Sequence, residues 1–66
     1  MFVKFTYKNK GKSNGRVFYL NVDAHDITRI SDLGDATVFS LISGDSYTVA
    51  ESFEECVKKL GLELIY

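Results

Sequence analysis

Residues 2 to 8, Phe-Val-Lys-Phe-Thr-Tyr-Lys, place Val3, Phe5 and Tyr7 on one side of the chain and Phe2, Lys4 and Thr6 on the other. A period of two is the signature of a half-buried strand. Residues 16 to 22 repeat it, with Phe18, Leu20 and Val22 in phase. Between the runs lies Lys10-Gly11-Lys12-Ser13-Asn14-Gly15, whose Gly and Asn tolerate positive φ, so an antiparallel hairpin with its loop at residues 10 to 15 is predicted. Its register sets Tyr7 opposite Phe18, Phe5 opposite Leu20 and Val3 opposite Val22, giving one apolar face.

Asp23 to Asp26 is too polar and irregular for a ladder and reads as a turn, followed by a third strand around Ile27 and Ile30. Asp32-Leu33-Gly34-Asp35 makes the next turn. The run 37 to 43, Thr-Val-Phe-Ser-Leu-Ile-Ser, is β-branched and aromatic enough to be a central strand, and Gly44-Asp45 separates it from a fifth at 47 to 50. A two-residue loop pairs Ile42 with Tyr47. A three-residue loop puts Leu41 beside Val49 and is favoured because Phe39, Leu41, Tyr47 and Val49 then share a face. Ser52 with Glu55 spells a capping box, which starts a helix. Its apolar residues Phe53, Cys56, Val57 and Leu60 follow the i, i+3, i+4, i+7 spacing, leaving Glu54, Glu55, Lys58 and Lys59 outward in two i,i+4 pairs. Gly61 ends the helix, and the alternating tail Leu62-Glu63-Leu64-Ile65-Tyr66 predicts a short final strand.

The expected architecture is therefore α+β: an antiparallel β-meander of about five strands packed on one short C-terminal helix, a single domain over residues 1–66. Nine aromatic residues in a chain of 66 supply the bulk for one core without metal or disulfide. The lone cysteine, Cys56, has no internal partner, and the N-terminus lacks the apolar run of a signal peptide, so a cytoplasmic protein is expected. No stretch approaches the roughly 18 apolar residues of a spanning helix, which predicts no membrane association.

Charge sharpens the picture. Residues 1 to 16 carry Lys4, Lys8, Lys10, Lys12 and Arg16 and no acid, whereas residues 17 to 57 carry eight acids against Arg29 alone. Such asymmetry favours a polar partner or self-association between unlike surfaces.

Candidate chemistry is sparse. Asp23, His25 and Asp26 bring two carboxylates and an imidazole together, but short Asp-rich runs are mostly turns whose side chains bond local amides, and no metal is expected. Cys56 lies on the apolar stripe of the helix and reads as a buried structural cysteine rather than a nucleophile. No glycine-rich phosphate loop links a strand to a helix, so neither enzymatic activity nor a cofactor is expected. Two surfaces remain. Lys8, Lys10, Lys12 and Arg16 on the hairpin loop, with Phe2 and Tyr19 on its outer face, suit a protein partner or, as the alternative, nucleic-acid phosphates and bases. The pI near 5.7 favours the protein partner. Ile65, out of phase with Leu62 and Leu64, and Tyr66 would face a second subunit, so a homodimer is expected.

From Phe18 onward the chain resembles the FlbD/SwrD family of short bacterial flagellar-associated proteins. The resemblance rests on Phe-Tyr-Leu-Asn at 18 to 21, Ile27 and Ile30, the run 37 to 49 and the run 51 to 60. It implies a non-enzymatic accessory factor acting through protein contacts. The long basic loop at 8 to 16 and the apolar tail depart from the family pattern. A phage-type inhibitor whose acidic surface imitates nucleic acid is a further alternative.

Overall fold

The computed structural model describes residues 1–62. Its five strands are β1 (Phe2–Thr6), β2 (Val17–Asn21), β3 (Ile27–Asp32), β4 (Thr37–Leu41) and β5 (Ser46–Val49), followed by one helix, α1 (Phe53–Leu60). All pairings are antiparallel, in the expected α+β class. The strands divide into the hairpin β1–β2 and a three-stranded meander with β4 at its centre. A bridge between Tyr7 and Val49 joins the two, reinforced by the Lys8 amide donating to the Thr48 carbonyl (3.1 Å) and the Ala50 amide to the Thr6 carbonyl (2.8 Å). The final strand expected in the tail, with Ile65 and Tyr66, lies outside the described residues.

Both predicted hairpin registers are corrected, and for one reason. In the first, Phe5 faces Phe18 and Val3 faces Leu20, two residues away from the expected pairing. The Tyr7 amide donates to the Arg16 carbonyl while the Tyr7 carbonyl accepts from Gly15, each at 2.8 Å. Two residues thus oppose one, in a bulge whose first member, Gly15, has φ +82°. The loop tightens on its own asparagines: Asn9 Oδ1 accepts from the Gly11 amide (2.9 Å) and Asn14 Oδ1 from the Asn9 amide (3.1 Å). In the second hairpin Phe39 faces Tyr47 and Thr37 faces Val49, so neither Leu41–Val49 nor Ile42–Tyr47 is a pair. Leu41 donates to Asp45 and accepts from Gly44, whose φ is +98°. The three-residue loop, Ile42-Ser43-Gly44, survives with a different closing pair. The slips are of two residues in the first hairpin and four in the second, and an even slip leaves every side chain on its predicted face.

That core is Val3, Phe5, Val22, Phe39, Val49, Cys56 and Leu60, with Phe18, Leu20, Tyr47 and others packed around it. Four rings close a circuit across the two sheets. Phe5 lies 5.9 Å from Phe18 and 5.1 Å from Phe39, and Tyr47 lies 5.6 Å from Phe18 and 5.7 Å from Phe39. Tyr7 stacks on Phe18 at 4.0 Å. Each fully buried side chain of this size contributes about 1.5–3 kcal/mol. Leu41, expected on the same face as Phe39, Tyr47 and Val49, packs half-buried against the core while Phe39 is fully buried.

The helix begins at the predicted N-cap, with Ser52 Oγ accepting from the Glu55 amide at 3.2 Å, one of the two bonds of the expected capping box. It ends in a Schellman motif: Gly61, at φ +68°, donates to Lys58, and the Leu62 amide donates to the Val57 carbonyl at 3.0 Å. Cys56 and Leu60 are buried against the sheet. Lys59 departs from expectation. It does not face solvent beside Glu55 but reaches back to β1, where its ammonium donates to the Lys4 carbonyl (2.9 Å), sits 5.5 Å above the Phe5 ring and lies 3.9 Å from Glu51.

Candidate functional site

The inward face of β1–β2 is committed to the core; its outward face is not. Phe2, Lys4 and Thr6 on β1 stand opposite Asn21, Tyr19 and Val17 on β2. Phe2 and Tyr19 are diagonal neighbours, 70% and 66% exposed, and Val17 extends the apolar surface beside Lys4. These are rigidly mounted rings on a paired sheet. At the loop end of the same hairpin, Lys8, Lys10, Lys12 and Arg16 are all exposed, and among the described residues none of the four enters an ion pair. Two aromatic rings thus stand on the outward face of the strands, and four cations stand at the loop end of the same hairpin. Ile65 and Tyr66 lie outside the described residues.

The turn at Asp23–Asp26 is a single 3₁₀ turn, Ala24–Asp26. Asp23, His25 and Asp26 bring one ligand atom each within 4.8 Å of one another. Their contacts are those of a capped turn. Asp26 Oδ2 accepts from the Asp23 amide (3.0 Å), Asp26 Oδ1 lies 3.5 Å from His25 Nε2, and Asp23 Oδ1 lies 3.4 Å from the N-terminal ammonium. The hydrogen bonds predicted for an Asp-rich turn are thus present.

Cys56 is buried, as the helix stripe requires, and its thiol faces the Glu51 carbonyl at 3.8 Å. Burial pushes its pKa up, with a hydrogen bond from the Thr37 side chain opposing that effect. Thr37, the one buried polar residue in the described chain, donates to the same carbonyl at 2.9 Å. Glu51 also works through its side chain, Oε1 accepting from the Thr6 amide at 2.9 Å. Residue 51 thereby fastens β1, β4 and α1 together. Sequence reasoning missed it; an acid directly before an N-cap serine, at the junction of strand and helix, was its one visible signal.

Glu51 and Lys59 have a further effect. The Lys4 carbonyl and the Thr6 amide belong to the edge of β1 that faces away from β2, and these two side chains satisfy them. That edge is closed to another strand.

A short five-stranded α+β domain with a capped helix over its core, presenting aromatic and cationic side chains on one hairpin, is the class these features define. Within that class the chain belongs to the FlbD family, flagellar and swarming motility proteins, whose family model matches residues 11–61. The match opens inside the basic loop, so it takes in Lys12, Arg16 and Tyr19, while Phe2, Lys8 and Lys10 precede it. It closes at the helix-terminating Gly61. No curated protein and no solved structure matches the chain. Among the described residues no helix is long and apolar enough to cross a membrane.

Proposed function

We propose that this protein is a non-enzymatic regulatory module of bacterial flagellar or swarming motility that acts through protein–protein contacts made by the outer face and loop of the β1–β2 hairpin. The observation that carries the reading is the exposure of Phe2 and Tyr19 as diagonal neighbours on a paired sheet whose other face packs on the core. Rigid aromatic side chains with a flanking cation are what protein interfaces select, because they bury much area at little entropic cost. Family membership supports the motility setting. A cytoplasmic site of action belongs to the same reading, supported by the single unbridged cysteine.

The test is complementation of a swarming bacterium lacking its own copy. Phe2→Ser with Tyr19→Ser, and separately Lys10→Glu with Lys12→Glu, should abolish or sharply reduce swarm expansion while leaving the circular dichroism spectrum unchanged. Full swarming with both variants would remove the hairpin from consideration as the partner surface. The four cations on one loop favour nucleic-acid binding as the second reading. Low-salt fluorescence anisotropy with single- and double-stranded probes separates the two: binding lost on Lys10→Glu with Lys12→Glu supports it, and no binding disposes of it.

A further inference from the structure

We infer that the free edge of β2 pairs antiparallel with the same edge of a second copy, forming a two-fold dimer centred on Tyr19. The inference rests on the edge of β2 rather than on the outward face, its occupant is this chain itself, and it also engages the loop cations that the motility reading uses.

In the β1–β2 ladder Tyr7 bonds to Arg16, and the Met1 carbonyl accepts from Val22 at 2.8 Å. Residues 16, 18, 20 and 22 therefore aim their amides and carbonyls at β1, and the intervening Val17, Tyr19 and Asn21 aim theirs away from it. Among the described residues nothing receives them.

The β5 edge meets β1 at the Tyr7–Val49 bridge, and the β1 and β3 edges are guarded. That of β1 is closed by Glu51 and Lys59. That of β3 is broken by a bulge between Ile27 and Arg29 and carries Arg29 and Asp32. Charges and bulges are the devices by which strands refuse edge pairing. β2 has neither: Val17-Phe18-Tyr19-Leu20-Asn21 is regular, uncharged and rich in β-formers. One unguarded edge beside two guarded ones marks the place of association.

Charge selects the occupant and its direction. The basic loop precedes β2 and the acidic turn follows it. With Tyr19 opposite its own counterpart, Val17 meets Asn21 of the second copy, Phe18 meets Leu20, and Arg16 comes opposite Val22, one position before the acidic turn. The Lys-rich loop of each copy then lies along the Asp23–Asp26 turn of the other, twice by symmetry. A parallel arrangement would set loop against loop. The half-buried Phe18 and Leu20 would be covered on the inner face at the same time.

A strand-pair interface is small, so the dissociation constant should fall on the order of 10 to 100 µM. Sedimentation equilibrium should show the 7.4 kDa chain doubling in mass across that range, with weaker association as salt is raised. Tyr19→Pro removes an amide that β1 does not use, so the monomer should keep its fold and fail to dimerise. Arg16→Asp should raise the dissociation constant severalfold by weakening the attraction of each basic loop to the acidic turn of the other copy, and adding Asp23→Arg should restore it. Amide exchange at Val17, Tyr19 and Asn21 should slow as concentration rises. A strictly monomeric chain at about 1 mM overturns the proposal, since pairing that weak lies beyond micromolar association. A dimer indifferent to Tyr19→Pro and to the charge exchange, or protection confined to other amides, overturns it equally.

Discussion

The four-ring circuit makes a quantitative demand that burial alone does not. Phe39 and Phe5 are both inaccessible to solvent, and their rings lie 5.1 Å apart in a tilted arrangement at 43°, within the range in which aromatic pairs attract. Phe39→Leu and Phe5→Leu each keep an apolar side chain but remove a ring from two contacts, so each should destabilise the fold by roughly 1–2 kcal/mol. With a total stability of about 3–10 kcal/mol for a chain of this length, both single variants remain folded. Urea unfolding followed by circular dichroism should show each midpoint falling by about 1–2 M, given a slope near 1 kcal/mol per molar. The double variant should cost less than the two single losses together by about 0.5–1.5 kcal/mol, because the shared contact is lost once. Phe2, on the opposite face and 70% exposed, is the control: Phe2→Leu should be nearly neutral and additive with Phe39→Leu. Additivity of Phe5 and Phe39 to within about 0.3 kcal/mol would refute the circuit as an energetic unit and reduce it to buried area.

The remaining predictions concern the fastenings around it. Glu51→Ala should destabilise the fold by about 1–3 kcal/mol in the same assay, because the partly buried Thr6 amide loses its acceptor, whereas Glu51→Gln retains that acceptor and should cost less than about half as much. Gly44→Ala forces a side chain into φ +98° and should cost about 1–2 kcal/mol of thermal or urea stability with no change in the core. Burial raises the Cys56 pKa, so the native state holds its proton more tightly than the unfolded chain. Its contribution is therefore complete below about pH 8.5, where an ordinary thiol begins to ionise, and is lost as pH rises through the folded-state value. Stability should fall measurably more from pH 8 to 10 in the wild type than in Cys56→Ala, and thiol-specific reagents should modify native protein far more slowly than urea-unfolded protein.

What could be read from the sequence was set by periodicity, and what could not was set by side chains acting across elements. Val3, Phe5, Phe18, Phe39 and Val49 fall on the predicted face because a period of two survives any even slip in register. The registers were not legible, because at Gly15 and Gly44 a glycine in the left-handed region stands with its successor opposite Tyr7 or Leu41, and nothing in composition distinguishes such a bulge from a plain turn. The helix was legible at both ends because Ser52, Glu55 and Gly61 act locally. Lys59 was not: its long stem lets the ammonium cross to Phe5 and the Lys4 carbonyl, contacts separated by more than fifty positions in the chain. The same holds for Glu51 and Thr37, whose partners are distant in sequence. The aromatic and cationic side chains of the first hairpin were legible as exposed because they stand out of phase with the core residues or within the loop.

The hairpin β1–β2 is thus held and displayed by different groups. Phe5 and Phe18 anchor it through the ring circuit, Tyr7 joins it to Val49, and Glu51 and Lys59 clamp its inner edge. Phe2, Tyr19 and the loop cations take no part in that anchoring. Substitutions on the second set should therefore alter what the domain touches without altering whether it folds, and substitutions on the first should do the reverse. The boundary of the family match runs through this division. Val17 to Asn21, the strand with the unguarded edge, lies inside residues 11–61, while β1, which supplies the clamp's receiving groups, lies outside. A strand whose inner face is fixed by the core and whose edge carries no guard is constrained only by what it meets. Swapping Phe2 and Lys4 should on this reasoning be tolerated in stability assays far better than any change to the Lys4 backbone contact made by Lys59, so that Lys59→Met lowers the urea midpoint more than Phe2→Lys combined with Lys4→Phe.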